Sequence, residues 1–422
     1  MTNLLLMGLN HAGAPVEIRE RLAAPPSRLP ERLATLRAAD GVAEAALLST
    51  CNRFEIYAVV ADLMSGQGAL VDVLGLCDLH CYLYTASDGA AALHLCRVAA
   101  GLDSLVLGEH EILGQVKDAL EAALAADAAG PVLSELFRRA IRAGKRVRSE
   151  TAIGAGLRSL GQVALTLARQ HLGDLTDRTA LIIGVGRIAK VAAETLAAGG
   201  LRCVLVANRT YERAVALAEV LGGQAIRFDA LVGRLVEADL VIAATGAPHV
   251  VLHADAVRQA MAARAGRPLI VVDLAVPRNV DPACRQIAGV TLYDMDDLSD
   301  VVRTQHAVAA PAVAAAEAIA AAEAAAFVAW LQERRAVPLI EDLFAQAEAI
   351  RQAEVAQCLA RLSDAPEGRQ AAIEALGASL TRRLLFVAAR AVKAAAVRGD
   401  GDSTLVWGDV SSLAVGDSSS KE

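Results

Sequence analysis

Aromatic residues are scarce in this chain: only 3 % of 422 positions, with two Trp, six Phe and five Tyr. A sequence so poor in aromatics while 55 % hydrophobic draws its apolar character from alanine and leucine, which favours helix-rich architecture over a β-sandwich. Cysteine is sparse too. The seven thiols, at 51, 77, 81, 96, 203, 284 and 358, are odd in number and scattered, which excludes a disulfide framework and argues for reduced thiols. Cys77-Asp78-Leu79-His80-Cys81 has no second ligand pair at zinc spacing, so no metal is expected. A long uncharged apolar run is also missing. Leu4 to Leu9 is short and lacks a basic leader, and the alanine-rich stretch from Ala307 to Phe327 is interrupted by Pro311, Glu317 and Glu323. The expectation is a soluble, untargeted, cytoplasmic protein without a membrane span. A net charge of −7 excludes a nonspecific nucleic-acid coat but leaves room for a local basic face.

At about 150 residues per domain the length predicts two to four domains. Residues 2–9 read as a strand ending in Gly8-Leu9-Asn10-His11, and Pro15 opens a first helix with Glu17 and Glu20 near its start. Ala45 to Leu48 and Phe54 to Val60 read as two strands, which places Cys51 on the tight connection between them. Thr50, Asn52 and Arg53 surround that thiol with hydroxyl, amide and guanidinium donors, the company a thiolate or developing oxyanion needs. The alternative is a small buried hydrophobe.

Helical spacing returns from Ser87, with His94 and Arg97 three apart, so His94 is either a hydrogen-bonded helix histidine or a catalytic one. The stretch from Gly101 to Lys117 sets Ser104, Glu109, His110, Glu111 and Gln115 among glycines and aliphatics. Six cations and no acid lie between Arg138 and Arg148, either a solvated face or a phosphate-binding ridge. The helical signal runs on past Gly154-Ala155-Gly156 to Leu172.

The next domain opens on a βαβ unit. An apolar strand, Thr179 to Ile183, leads into the GxGxxA turn Gly184-Val185-Gly186-Arg187-Ile188-Ala189, then a helix, then the strand Leu201 to Val206. Gly184 permits the tight turn, Gly186 lets backbone amides approach a pyrophosphate at the helix N-terminus, and Ala189 is small enough for helix packing. An NAD site would place an acid after the second strand; Asn208-Arg209-Thr210 stands there instead, and Arg209 suits a 2′-phosphate. NADP(H) is the cofactor expected. Further strands at 238–246 and 269–275 complete a doubly wound sheet. Residues 299–398, rich in Ala, Glu, Leu and Arg, predict long helices whose apolar stripe calls for a twin subunit, and Gly399 to Glu422 reads as a disordered tail.

A thiol in one domain and an NADP(H) turn in the next suggest acyl transfer to sulfur followed by hydride reduction of the thioester. The residues then resemble one family. Gly8-Leu9-Asn10-His11 with Ala14-Pro15-Val16, Ser49-Thr50-Cys51-Asn52-Arg53, His94 with Arg97 to Ser104, Leu107-Gly108-Glu109 with Ile112 to Lys117, Lys145-Arg146-Val147-Arg148, Asn208-Arg209-Thr210 and Asp273 to Arg278 are similar to the motifs of the glutamyl-tRNA reductases, in order from about residue 8 to 350. The resemblance implies NADPH-dependent reduction of glutamyl-tRNA(Glu) to glutamate-1-semialdehyde, the first step of tetrapyrrole synthesis by the five-carbon route. It implies Cys51 as nucleophile, His94 as a catalytic histidine, and Thr50, Asn52, Arg53, Ser104, Glu109 and Gln115 as the glutamyl site, with Arg53 the natural partner for a carboxylate; His110 and Glu111 stand in the same pocket and are expected to line it. Residues 184–189 with Asn208, Arg209 and Thr210 would hold NADPH.

The architecture it implies is multidomain α/β: a small α+β catalytic domain (1–150), a Rossmann-type NADP(H) domain (151–298), a long connecting helix over 141–172, and an all-α dimerisation domain (299–398) making a V-shaped homodimer. An aminomutase that takes over the aldehyde is the implied partner. The chain departs from the family pattern at His110 and Glu111, commonly Pro and Gln, at Arg187, often an acid, and at Phe386, where His is usual. Two other readings share the residues: a thioester-forming semialdehyde dehydrogenase on a small acyl substrate, and a non-catalytic tRNA-binding regulatory paralogue.

Overall fold

In the computed structural model, residues 2–23, 26–153, 160–201, 203–303, 310–361 and 367–398 are described. The chain divides into two compact units, 1–325 and 326–422.

The first unit begins with a four-stranded antiparallel sheet. Its elements are β1 (Asn3–Asn10), α1 (Val16–Leu22), α2 (Leu29–Arg37), β2 (Val42–Ser49), β3 (Arg53–Val60), α3 (Leu63–Leu74), β4 (Tyr84–Ser87), α4 (Asp88–Ala99), α5 (Glu111–Ala125) and α6 (Pro131–Glu150). The strands lie in the order β2-β3-β1-β4. Both faces of β3 are buried, so Phe54, Ile56 and Ala58 meet core on one side while Arg53, Glu55 and Tyr57 must find polar partners on the other.

The helix expected over 141–172 is two helices. α6 ends at Glu150, Thr151 turns extended, and α7 (Leu160–Leu172) starts afresh; Gly154 to Ser159 lie outside the described residues. The Thr151 hydroxyl donates to the Val147 carbonyl at 2.6 Å, competing with helix continuation. Ile153 then drops into an apolar cluster with Val147, Ala316 and Ile319.

A six-stranded, all-parallel sheet follows, built from β5 (Thr179–Ile183), α8 (Arg187–Ala198), β6 (Cys203–Asn208), α9 (Tyr211–Leu221), β7 (Gln224–Arg227), α10 (Leu231–Leu235), β8 (Leu240–Ala243), α11 (Ala254–Ala263), β9 (Leu269–Asp273), β10 (Val290–Tyr293) and α12 (Met295–Arg303). Its order is β10-β9-β8-β5-β6-β7. Strand alternation splits the core in two: Ile182, Ile242 and Val272 pack on one face, Leu181, Val241 and Val271 on the other. The order reverses between β5 and β8, the switch point at which Rossmann-type sheets bind ligands.

α13 (Ala310–Arg361) and α14 (Glu367–Arg398) complete the chain. Pro338 lies inside α13 without ending it, and the tail from 399 lies outside the described residues. Among the described residues, Ala310–Leu359 is long and apolar enough to cross a membrane by length and composition. Its first turns are tied into the first unit by ion pairs of Glu317 with Arg97 and of Glu323 with Arg142 and Arg146. Glu323, with Glu135 and Glu150, meets several cations of the 138–148 ridge, whose own run carries no acid. Arg148 turns inward to the carbonyls of Gly144 and Glu109, both at 2.9 Å.

Candidate active site

The β2–β3 connection is a tight turn built by its own polar side chains. Thr50 Oγ1 accepts the backbone N–H groups of Asn52 (3.1 Å) and Arg53 (3.2 Å), and the Asn52 carbonyl accepts His11 N–H at 2.8 Å. Asn10-His11 and Thr50 thereby fix the backbone carrying Cys51.

Cys51 is half-buried and packs against the same apolar cluster as Val185 and Ile188 of the GxGxxA turn. A narrow pocket of about 10 Å³ lies beside it, lined by Thr50, Asn52, Arg53, Ser104, Glu109, Glu111, Gln115 and Ile188 among others. The sequence-predicted residues from three separate segments thus converge. His110 stays outside, exposed at the start of α5, and His94 is not among the lining residues.

The electrostatics correct one expectation. Burial, reinforced by Glu109, pushes the Cys51 thiol up to about 12, with Arg19 opposing and Glu111 adding to the rise, so in this arrangement the sulfur keeps its proton. Burial and the neighbouring Glu111 likewise push the Glu109 carboxyl up to about 7. Glu111 is itself raised by burial, with Arg187 working against the shift.

Arg53 is not free to meet a substrate carboxylate face-on, as its place in the motif suggested. It is 2 % exposed; Nη1 bonds Glu55 Oε1 at 2.7 Å and Nη2 bonds the Asp103 carbonyl at 2.5 Å. Nε is left buried without a hydrogen-bond partner among the described residues. Glu55, absent from the sequence reading, is the centre of the network. Its carboxylate accepts from Arg53, Tyr57 (2.7 Å) and Tyr84 (2.6 Å), and His94 Nε2 lies 2.8 Å away. Burial alone would raise Glu55, but the Arg53 guanidinium and these donors hold it well below the ordinary carboxylate range.

At the dinucleotide turn, Gly184 has φ +115° and a Cβ there would lie 2.4 Å from the Ala244 carbonyl oxygen, so only glycine fits. Gly186 caps α8, Ala189 is fully buried, and exposed Arg187 reaches across to Asp118 of α5 at 2.8 Å. Asn208 and Arg209 line a second cavity of about 330 Å³ with Tyr211, Arg227, Phe228 and Asp229. Thr210 is the exposed N-cap residue of α9. Arg227 was not read from the sequence; it stacks over the Tyr211 ring with its guanidinium 5.8 Å from the centroid. Two cations, two rings and an acid around this cavity, with a glycine turn before a helix N-terminus, fit a nicotinamide dinucleotide. Among the described residues, no cluster of His, Cys, Asp and Glu suits a metal ion.

Comparison with known proteins agrees with this construction. The model described as "Glutamyl-tRNAGlu reductase, N-terminal domain" matches residues 7–151, that of "Shikimate / quinate 5-dehydrogenase" matches 166–301, and that of "Glutamyl-tRNAGlu reductase, dimerisation domain" matches 315–407. Glutamyl-tRNA reductase of Moorella thermoacetica is 45 % identical over 92 % of this chain and 90 % of its own. That of Chloroflexus aurantiacus is 40 % identical over 94 % of this chain and 96 % of its own. The solved glutamyl-tRNA reductase from Methanopyrus kandleri is 35 % identical, covering 94 % of this chain and 99 % of its own, with a TM-score of 0.48. The chain belongs to the glutamyl-tRNA reductase family.

Proposed function

We propose that this protein reduces glutamyl-tRNA(Glu) to glutamate-1-semialdehyde with NADPH through a thioester on Cys51, the entry to tetrapyrrole synthesis. The observation that carries the reading is that Cys51 shares one cavity and one apolar cluster with Ile188 of the GxGxxA turn. A sulfur-bound acyl group is then held beside the part of the fold that binds dinucleotides.

The chemistry assigned to each residue follows from the site. The Cys51 proton passes to Glu109, whose raised carboxyl is suited to accept and return it near neutral pH. The sulfur attacks the glutamyl carbonyl carbon, the ester bond to the tRNA ribose breaks, and the leaving oxygen takes the proton back from Glu109. Asn52, Ser104, Gln115 and Arg53 Nε supply polar contacts for the glutamyl group. NADPH, when bound by residues 184–189 with Asn208, Arg209, Thr210 and Arg227, supplies the hydride that converts a thioester to an aldehyde. Cys51 leaves as thiolate and is reprotonated. His94 acts through Glu55, to which it is bonded.

The exposed cations Arg138, Arg142 and Lys145 of α6 contact tRNA phosphates. The C-terminal helices form a homodimer, the match to the family's dimerisation domain supporting it. The unstable aldehyde is handed to an aminomutase, and the enzyme works in the cytoplasm. The test is to mix protein, NADPH and glutamyl-tRNA and follow NADPH loss together with aldehyde formation. Turnover of free glutamate or glutamyl phosphate without turnover of the charged tRNA would overturn the reading.

A further inference from the structure

Helix α1 joins the nucleophile's loop to the parallel sheet through side chains that the proposed reaction leaves unused. Its outer side grips the loop after β9: Arg278 bonds Glu20 through its backbone N–H (2.5 Å), Nε (2.9 Å) and Nη2 (3.1 Å), and Glu17 through Nη1 (2.7 Å). That loop is itself folded by Asp273, whose carboxylate accepts from Ala275, Asn279 and Val280 backbone N–H groups.

The inner side of α1 carries Arg19, 3 % exposed. Its Nη1 donates to the Cys51 carbonyl at 2.6 Å and, more weakly, to Asn52 Oδ1 at 3.4 Å; Nε donates to the Ala14 carbonyl at 3.2 Å. Nη2 pairs with Asp296, in the first turn of α12, just beyond β10 of the parallel sheet. The other Asp296 oxygen accepts Val16 N–H at 2.9 Å, closing the N-terminus of α1. One guanidinium therefore spans from the backbone of the nucleophile to the sheet that carries the dinucleotide turn. An arginine fork holds two acceptors in fixed directions, so movement of Asp296 is passed to the Cys51 carbonyl.

We propose that Arg19 is a positioning residue for the reduction step: held by Asp296, it keeps the sulfur-bound acyl carbon in register with the dinucleotide-binding sheet. This rests on the thioester reading of the site and adds a residue pair to it. The pair is not required for the sulfur to accept the acyl group, because the β2–β3 turn is shaped by Thr50 and His11 independently.

Asp296→Asn in the full-length protein is the test, since the amide keeps an oxygen for Val16 N–H while losing the charge that holds Arg19. With labelled glutamyl-tRNA and no NADPH, label should be trapped on the protein within about twofold of the unaltered rate, and NADPH affinity should be unchanged. On adding NADPH, release of the trapped label as aldehyde should slow by at least about tenfold, as expected for misplacement of a reacting centre. Arg19→Lys, which cannot span both acceptors, should show the same split between trapping and release, and the double variant should be no slower than either single one. Equal losses in trapping and release, unchanged release, or additive effects in the double variant would overturn the proposal. Failure of the unaltered protein to trap label at all would instead remove the thioester reading beneath it.

Discussion

Glu55 and His94, on β3 and α4, stand 2.8 Å apart, and Glu55 is wholly buried beside Arg53. Replacing Glu55 by Gln leaves the Arg53 charge buried without its carboxylate, a change that should destabilise the protein by about 3–5 kcal/mol in urea unfolding. A loss below about 1 kcal/mol would mean that water or another group already satisfies Arg53. The pH dependence follows from the sign of the shift. A carboxyl depressed in the folded state stabilises above its unfolded value of about 4.3, and that stabilisation is lost as pH falls toward the folded value. Glu55→Gln should therefore flatten part of the stability loss seen below about pH 4.

Gly8 makes that network possible. In the sheet register it lies between Glu55 on β3 and Tyr84 on β4, and the Tyr84 hydroxyl reaches over it to Glu55. A Cβ at position 8 would sit 2.6 Å from the Phe54 carbonyl oxygen and 2.8 Å from Glu55 Cγ. Gly8→Ala should destabilise by about 1–3 kcal/mol through overpacking. Tyr84→Phe removes one bond to a charged acceptor and should lose about 1.5–3 kcal/mol, and the double variant should lose less than the sum because both act on one contact. Additive losses in thermal unfolding would show that Gly8 matters only for the backbone.

How far this site could be read ahead of its structure depends on the range of the interactions. The Cys51 turn and the GxGxxA turn are local signals, set by strand alternation and by glycines that their φ angles demand, so both were legible. Arg53, Glu55 and Tyr57 alternate along one strand face, and a buried strand carrying three polar groups was a signal of Glu55 that alternation alone could have given. Arg19 and Asp296, 277 residues apart, gave none, because their meeting depends on how α1 lies against the parallel sheet. The raised Cys51 thiol has a similar origin: the donors nearby in sequence and the acids Glu109 and Glu111 were visible, while the burial that contributes most to the shift depends on the tertiary packing. The end of α6 at Thr151 was masked by the helical spacing that resumes at Leu160, although Thr151, Gly154 and Gly156 are themselves helix-breaking types, and Ile153 is buried just beyond it.

Glu111 stands where the family pattern commonly has Gln, and its carboxylate helps keep the Cys51 thiol protonated. Glu111→Gln should lower the thiol pKa and speed alkylation of Cys51 at pH 8 by about two- to fivefold, since a thiol reacts through its thiolate fraction. The same variant should lower the Glu109 pKa, moving the acidic limb of the pH–rate profile downward from about 7. Mass spectrometry of the Cys51 peptide after timed alkylation reads the first effect; an unchanged rate would show that burial alone sets the thiol.

On α14, Leu376, Leu380 and Leu384 recur every four residues and are all more than half exposed. Such a stripe at helical spacing calls for a partner surface. With a dimerisation-domain match over these residues, Leu380→Glu should convert the dimer to monomer at micromolar concentration, as read by light scattering. A variant that stays dimeric would place the interface on other faces of the C-terminal helices.

Arg209 and Arg227 face one cavity from the ends of β6 and β7, and their separate contributions can be measured against a cofactor that lacks the phosphate. A charge-assisted hydrogen bond is worth about 1.5–3 kcal/mol, so Arg209→Ser and Arg227→Ala should each weaken NADPH binding by about tenfold or more. NADH binding should stay within about twofold, because its ribose hydroxyl has no charge to lose. Arg227 also covers the Tyr211 ring, so Arg227→Lys, which keeps charge but not the planar stack, should fall between the unaltered protein and Arg227→Ala. Fluorescence titration with both cofactors distinguishes the outcomes. Equal weakening of NADPH and NADH would assign these arginines to the adenine ring or to the shape of the loop, and preference for the phosphorylated cofactor would then have to come from elsewhere in the turn after β6.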